Sequence, residues 1–251
     1  MSLRLASLLL VLAFTMTAGC ASSRDKDVAA DPTGNAQRIY EQSVGAMRAG
    51  NYAAAILGFE NLTAIYPFSE EARQALLNLI YVYWRNDEPD NAVSAADRFM
   101  LENPTHPRVD YALYMKGLAR LPRDAGPLER LFRTDLNKRP TGEMMNAYNT
   151  FAQLLQQHPQ SAYEEDARQR MIYLRNRLAA HEVSVARFYV DRHAHVAAIN
   201  RARHVLENYQ ETPSAVEALR IIATAYDNLG LDDLAADTRR VLAANEASRQ
   251  R

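Results

Sequence analysis

Apolar residues recur along most of the chain at the three- and four-residue spacing of helices. From Gln37 to about Glu246 we find no strand-like alternation of four or more residues bounded by turns. No helix breaker falls between Glu164 and Arg192, which predicts one long helix there. The pattern predicts an all-α fold.

Alanines that precede a proline by a fixed interval mark an internal repeat. The interval is twelve residues in three pairs: Ala55 and Pro67, Ala92 and Pro104, and Ala147 and Pro159. In two of these copies a glycine lies five residues before the alanine and a phenylalanine four residues after it: Gly50 with Phe59, and Gly142 with Phe151. Weaker copies contain His193, Ala198 and Ala202, and then Gly230 and Ala235. The chain therefore repeats one structural unit.

Each position of the repeat has a physical role in a pair of antiparallel helices. Glycine permits the left-handed backbone that ends the first helix, and alanine lets the two helices approach closely. The aromatic ring fills the gap, and proline stops the second helix. The pattern is similar to that of tetratricopeptide repeats.

The repeat predicts a tetratricopeptide-type helical solenoid of about five helix pairs over residues 37–246, followed by a tail at 247–251. The expected units are roughly 37–68, 69–106, 107–160, 161–212 and 213–246. Ser161 and Ser214 each stand three residues before a glutamate, the spacing of a capping box. Ser69 precedes two acids that favour a first turn. We therefore expect helices to begin at these serines.

The third unit is longer than the others. Pro104 and Pro159 are 55 residues apart, whereas Pro67 and Pro104 are 37 apart. The insertion spans 121–141 and contains five basic residues: Arg123, Arg130, Arg133, Lys138 and Arg139. Loops of this length are often functional, and a tolerated surface excursion is the alternative.

A short apolar run precedes the only cysteine of the chain. Leu5–Met16 follows Arg4 and is followed by the small residues Thr17, Ala18 and Gly19. This is the pattern of a secretory signal peptide, and the run is too short to span a bilayer. Because an exported protein with one cysteine has no internal disulfide, Cys20 is better explained as an attachment point.

Cys20 and the residues before it resemble a bacterial lipoprotein box. We therefore expect residues 1–19 to be a lipoprotein signal peptide and residues 20–36 to be a lipidated flexible tether. The expected modification is a covalent N-acyl and diacylglyceryl lipid on Cys20, since more than one acyl chain is needed for firm anchoring. An ordinary signal peptide followed by an incidental cysteine is the alternative.

The composition and charge of the chain give no indication of nucleic-acid binding. The whole chain has 48% hydrophobic and 24% charged residues, which is typical of globular proteins. Removal of residues 1–19 takes one arginine from 29 basic residues and no acid from 30, which leaves 28 and 30 and a net charge of −2. A chain with this charge has no general electrostatic attraction for nucleic acid.

Motifs of the common enzyme classes are missing from the sequence. It contains no nucleophile elbow, no phosphate-binding loop and no dinucleotide fingerprint. His181 and Glu182 are not followed by the second histidine of a zincin, and His193 and His195 are two residues apart, which on a helix separates their side chains. We therefore predict no catalysis, no metal and no cofactor apart from the lipid.

Asn103–Pro107 and the stretch that follows it, Asp110–Leu118, form a pattern that generic tetratricopeptide repeats do not contain. This pattern resembles the BamD family, the outer-membrane lipoproteins of the β-barrel assembly machinery. Other similar segments are Tyr66–Ser69, Leu79–Tyr83, Tyr163 with Asp166 and Ala167, Asp191 with Arg192, Val196 with Ala197, and Asn200 with Arg201. The resemblance covers essentially the whole mature chain.

This resemblance implies a non-catalytic adaptor, lipid-anchored at the periplasmic face of the outer membrane. Its expected partners are the periplasmic domains of BamA, other Bam lipoproteins and unfolded outer-membrane barrel proteins. The alternative is a tetratricopeptide lipoprotein adaptor for peptidoglycan hydrolases or pilus assembly. That class would share the lipid, the tether and the repeats, but we do not expect it to contain the Asn103–Leu118 stretch.

Aromatic residues on the first helices predict a peptide-binding groove. In a solenoid of this type the first helix of each pair lines the concave face, and the candidates there are Tyr40, Asn78, Tyr81, Arg85, Tyr111 and Tyr114, with Tyr83 and Trp84 beside them. Barrel strands alternate apolar and polar residues and carry aromatic girdles, which such a groove would suit. The alternative is that the rings pack between helices.

Asn200 and Arg201 are the candidates for BamA contact, by resemblance to the part of the family that meets the periplasmic domains. The unit also contains Arg187, Arg192 and Arg203. Arginine is enriched at protein interfaces because its planar fork makes bidentate contacts with carboxylates. A solvated helix face is the alternative.

Overall fold

The computed structural model describes residues 32–121 and 141–249. The predicted signal peptide, Cys20, most of the tether and the insertion at 121–141, apart from its two ends, lie outside these residues. Within the described ranges the chain forms ten helices and no strand, which confirms the all-α prediction. The helices are α1 Pro32–Arg48, α2 Tyr52–Ile65, α3 Glu70–Arg85, α4 Pro89–Glu102, α5 Val109–Ala119, α6 Gly142–Gln157, α7 Glu164–Val190, α8 His195–Asn208, α9 Ser214–Asn228 and α10 Asp232–Arg249.

The helices form five consecutive pairs, as the repeat predicts. Each helix packs against its neighbours in the chain, and first helices also pack on first helices of adjacent pairs, as α1 does on α3 and α7 on α9. The repeat alanine is fully buried in every pair, with 0% exposure at Ala55, Ala92, Ala147, Ala198 and Ala235. A larger side chain at any of these positions would force a helix pair apart.

A left-handed residue ends the first helix in four of the five pairs. The backbone φ angles are +76° at Gly50, +71° at Asp87, +57° at His193 and +69° at Gly230, each five residues before the buried alanine. Gly142 was predicted to have this role, but it is the first residue of α6. Because α5 already ends at Ala119, Gly142 does not directly follow the first helix of its pair as the other four residues do.

The structure confirms two of the three predicted helix starts. Ser69 caps α3 as predicted, since its Oγ accepts a hydrogen bond of 3.0 Å from the backbone N–H of Ala72. Ser161 instead donates to Asp110 (2.7 Å), and α7 begins three residues later. The helix α9 begins at Ser214 as predicted, but its N-cap residue is Pro213, so Ser214 does not cap the helix.

The folded region begins earlier than predicted. The helix α1 starts at Pro32, five residues before Gln37, and Ala36 is only 1% exposed in the front core. Proline is favoured in the first turn of a helix because its missing N–H would have no partner there. The tether predicted over 20–36 therefore ends before α1.

The long helix α7 joins two hydrophobic cores. Its residues Leu174 and Leu178 complete the front core, which is built by α1 to α6. Its next residues, Ala179 and Val183, belong to the rear core with α8 and α9. One unbroken helix, predicted from the absence of breakers, thus fixes the front pairs to the rear pairs.

Candidate functional site

Four side chains from α2 and α3 form a surface that we call the aromatic patch: Tyr52, Tyr81, Trp84 and Arg85. The ring of Tyr81 lies 6.4 Å from that of Tyr52, edge-on, and 6.3 Å from that of Trp84. The Arg85 guanidinium lies 5.1 Å from the centre of the Tyr52 ring, and its Nη1 donates to the Tyr81 hydroxyl at 3.0 Å. The patch therefore combines apolar ring surface with a fixed cation.

The spacing of the helix explains how the patch is assembled. Tyr81, Trp84 and Arg85 are three and four residues apart on α3, so they share one face. Trp84 is 36% exposed, and Arg85 is also exposed. Tyr52 was missed from the sequence because it begins the second helix of its pair. The signal for it was present, since it follows the turn glycine Gly50 by two residues.

Tyr83 does not contribute to the patch, although it was predicted on the groove face beside Tyr81. It is 8% exposed, and its hydroxyl donates to Glu60 on α2. Burial and this carboxylate raise the pKa of Tyr83 above its ordinary value. Because residues two apart on a helix point in nearly opposite directions, Tyr81 and Tyr83 cannot share a face.

Tyr40 and Asn78 are brought together between the helices of the front core. The Asn78 amide donates to the Tyr40 hydroxyl at 3.3 Å, and the Tyr40 ring lies 6.0 Å from that of Phe59. Both residues are half-buried. This pair joins α1 to α3, so the alternative of ring packing between helices describes Tyr40 better than the groove does.

Three tyrosines form a second cluster at the junction of α5 and α7, the tyrosine cluster: Tyr111, Tyr114 and Tyr163. The rings of Tyr114 and Tyr163 are stacked, with centroids 4.5 Å apart and planes 14° apart, and Tyr111 lies 6.0 Å from Tyr163. The Tyr114 hydroxyl donates to Asp166 at 2.7 Å. Tyr163, the N-cap residue of α7, was not among the predicted groove residues.

Burial controls the ionisation of this cluster. It raises the pKa of Tyr111 to about 12, with the nearby Tyr163 and Tyr81 adding to the rise and Arg108 opposing it. Burial and the hydrogen bond to Asp166 raise the pKa of Tyr114 to about 12. Both phenols are therefore neutral donors at physiological pH. The aromatic patch and the tyrosine cluster lie on neighbouring first helices, since α3 packs against α5.

The predicted BamA-contact residues lie on the exposed face of α8. Asn200 and Arg201 are both exposed. The Arg201 guanidinium contacts Glu182 on α7 at 3.2 Å, with side-chain exposures of 49% and 16%. Because the guanidinium is half exposed, solvent screens its attraction to Glu182, and the pair contributes little to stability.

The rear histidines lie closer together than predicted. The ring centroids of His193 and His195 are 5.9 Å apart, because His193 is in the left-handed turn and not on a helix. Within residues 32–121 and 141–249, no cluster of three or more histidine, cysteine or acidic side chains could hold a metal ion. Over the same residues, no helix is long and apolar enough to cross a membrane.

The sequence of the chain is similar to that of a known protein family. The YfiO family model, described as an outer membrane lipoprotein, matches residues 32–242. The chain is 39% identical to the outer membrane protein assembly factor BamD of Neisseria meningitidis serogroup A over 88% of this chain and 83% of that protein. It is 36% identical to BamD of Vibrio cholerae over 94% of this chain and 96% of that protein.

Solved structures of repeat proteins are more distant. The crystal structure of the MamA protein has 18% sequence identity to this chain and a TM-score of 0.33, over 86% of this chain and 95% of that one. The fold is established by the five helix pairs themselves.

Proposed function

We propose that the helix pairs of this protein bind both unfolded barrel segments and the periplasmic domains of BamA, and so bring these two partners together. The proposal starts from the family: the chain belongs to the YfiO/BamD family of outer membrane protein assembly factors. Family membership makes the protein a non-catalytic scaffold associated with the outer membrane. The proposal adds the surfaces: the aromatic patch for barrel segments and the exposed face of α8 around Arg201 for BamA. Other Bam lipoproteins are further expected partners.

The observation that carries the substrate proposal is the arrangement of Arg85 against Tyr52 and Tyr81. A hydrogen bond of 3.0 Å and a ring contact at 5.1 Å hold the guanidinium in place before any ligand arrives. A pre-organised site loses less side-chain entropy on binding. A barrel strand presents apolar and polar residues in alternation, so its rings can pack on the tyrosines while its carbonyl groups accept from the guanidinium.

A tryptophan in the aromatic patch allows peptide binding to be followed by fluorescence. Trp84 is the only tryptophan of the chain, and its ring lies 6.3 Å from Tyr81. Titration of the mature protein with a tryptophan-free peptide from an outer-membrane barrel strand should therefore change the Trp84 fluorescence. We expect Tyr81→Ala with Arg85→Ala to weaken the binding of this peptide by about tenfold, or about 1.4 kcal/mol.

Arg201→Glu is the control for this titration, because it also removes the positive charge of an exposed arginine. Its peptide affinity should equal that of the natural protein. If the peptide binds the Tyr81→Ala/Arg85→Ala variant as tightly as the natural protein, the patch is not the substrate site. If that variant loses affinity for peptide and for BamA equally, with reduced helicity, the loss is due to misfolding.

The BamA proposal rests on Arg201 being exposed and weakly paired. Arg201→Glu should weaken binding of the BamA periplasmic domains by about 2 kcal/mol or more without loss of helicity. The swap Arg201→Glu with Glu182→Arg restores the intramolecular pair. If the swap also restores BamA binding, the pair has only a structural role and the contact assignment fails.

The lipid anchor is tested by Cys20→Ser. The natural protein should incorporate labelled palmitate and fractionate with the outer membrane. The variant should incorporate none and be released into the periplasmic fraction. Equal labelling of both proteins would exclude Cys20 as the attachment point.

A further inference from the structure

One edge of the solenoid lies where the chain enters the fold. The helices α1 and α2 are antiparallel: the Gly58 backbone faces Ser43 so closely that a Cβ on Gly58 would lie 2.2 Å from the serine Oγ. The start of α1 at Pro32 therefore lies at the same edge as the end of α2 and the turn that contains Phe68.

Large apolar side chains project from this edge. The exposed fractions are 53% for Ile65, 95% for Phe68 and 83% for Leu101, the residue next to the end of α4. The ends of α2 and α4 lie side by side, because one cavity of about 460 Å³ is lined by Pro67 and Phe68 as well as by Glu102 and Asn103. We call Ile65, Phe68 and Leu101 the entry edge. Single exposed apolar residues are ordinary on protein surfaces, but a group of them marks a contact site.

Two salt bridges lie beside the entry edge. Arg73 pairs with Glu70 at 2.8 Å, and Arg98 pairs with Glu102 at 2.8 Å. Both arginines line the cavity that Phe68 also lines. A surface with apolar tips and paired charges of both signs suits the headgroups of zwitterionic lipid, where each guanidinium meets a phosphate and each carboxylate an ammonium.

The length of the chain before α1 limits how far this edge can lie from its anchor. Cys20 and Pro32 are twelve residues apart, and twelve residues span at most about 40 Å. A short tether also gives the edge a high effective concentration at the surface to which the tether is attached. Weak contacts by three side chains are then sufficient.

We propose that the entry edge is a lipid-contact site, at which Phe68, Leu101 and Ile65 insert between zwitterionic headgroups of the membrane that holds the Cys20 lipid. This inference rests on the lipid anchor of the proposed function. The contact orients the first two helix pairs on the membrane and leaves the aromatic patch, which lies near the opposite ends of α2 and α3, away from the lipid.

A fluorescent label beside the edge tests the contact. With Cys20 acylated, Thr105→Cys in the exposed turn after α4 provides a single free thiol. The labelled full-length protein is reconstituted in phosphatidylethanolamine vesicles that contain lipids with a nitroxide at the headgroup. Ala53→Cys is the matched control, because it is exposed at the other end of α2, about 20 Å away along the helix.

We expect the nitroxide lipids to quench the label at 105 at least about threefold more than the label at 53, since quenching requires close approach to the headgroups. Phe68→Ser with Leu101→Ser should reduce the quenching at 105 to the value at 53. Vesicle flotation checks the anchor separately. Protein that floats with equal quenching at both positions overturns the lipid contact alone, whereas protein that does not float overturns the anchor and the contact together. Quenching at 105 that survives both serine substitutions also overturns the proposal.

Discussion

Gly117 of α5 lies directly against the ring of Phe151 on α6. A Cβ on Gly117 would come within 2.6 to 2.9 Å of three ring carbons, and Phe151 is fully buried. The ring has no room to move aside in a closely packed core. The missing side chain at 117 is therefore what allows α5 and α6 to pair at this distance.

Gly117→Ala should destabilise the protein although alanine favours helices. Overpacking of a core costs about 1 to 3 kcal/mol, which exceeds the gain in helix propensity of about 1 kcal/mol. Urea unfolding followed by circular dichroism measures the change. Gly142→Ala is the control, since nothing lies within 4 Å of a Cβ there, and it should be neutral or slightly stabilising. A stabilised Gly117→Ala variant would contradict the packing.

Two other glycines should respond in opposite directions to the same substitution. Gly50 has a φ of +76°, where alanine is strained by about 1 to 2 kcal/mol. Gly45 lies inside α1 with open space around it, so alanine there should stabilise the helix by about 0.5 to 1 kcal/mol. Thermal unfolding of the two variants should give Tm shifts of opposite sign. A raised Tm for Gly50→Ala would contradict the left-handed turn after α1, and a lowered Tm for Gly45→Ala would contradict the open space around Gly45.

Some features of the fold follow from the spacing of residues along the chain, whereas others depend on contacts between residues that are far apart in sequence. The repeat alanines and the long α7 were predicted correctly, because regular spacing and the absence of helix breakers can be read from the local sequence. Ser161 was wrongly predicted as a helix start: its hydroxyl donates to Asp110, 51 positions away, and accepts from the N–H of Tyr163, and the helix begins at Glu164. Tyr52 and Tyr163 were missed as site residues for the same reason: their neighbours come from other helices.

Alkaline pH should weaken the fold through the tyrosine cluster. The pKa of Tyr111 and of Tyr114 is about 12 in the folded chain against an ordinary value of 10.0. Unfolded tyrosines lose their protons first, so stability should be constant below pH 10 and fall between pH 10 and about 12. Urea midpoints measured across this range test the prediction. Tyr114→Phe should make the fall shallower, and an unchanged slope would show that Tyr114 titrates normally.

The hydrogen bond between Tyr114 and Asp166 should couple α5 to α7. Burial opposes the charge of Asp166, but hydrogen bonds from Arg170 and Tyr114 prevail and lower the pKa of the carboxyl. A double-mutant cycle with Tyr114→Phe and Asp166→Asn should give a coupling energy of about 1 kcal/mol, a modest value because the carboxylate is partly exposed. Additive effects of the two substitutions would mean that this contact does not join the helices.

The most direct test of the scaffold function is recovery of its partners. Tagged full-length protein is purified in mild detergent from the outer membranes of its own cells, and the bound proteins are identified by mass spectrometry. We predict recovery of a large integral barrel protein that carries periplasmic repeat domains, in an amount that Arg201→Glu reduces. Recovery of peptidoglycan hydrolases or pilus components without that barrel protein would contradict the assembly role.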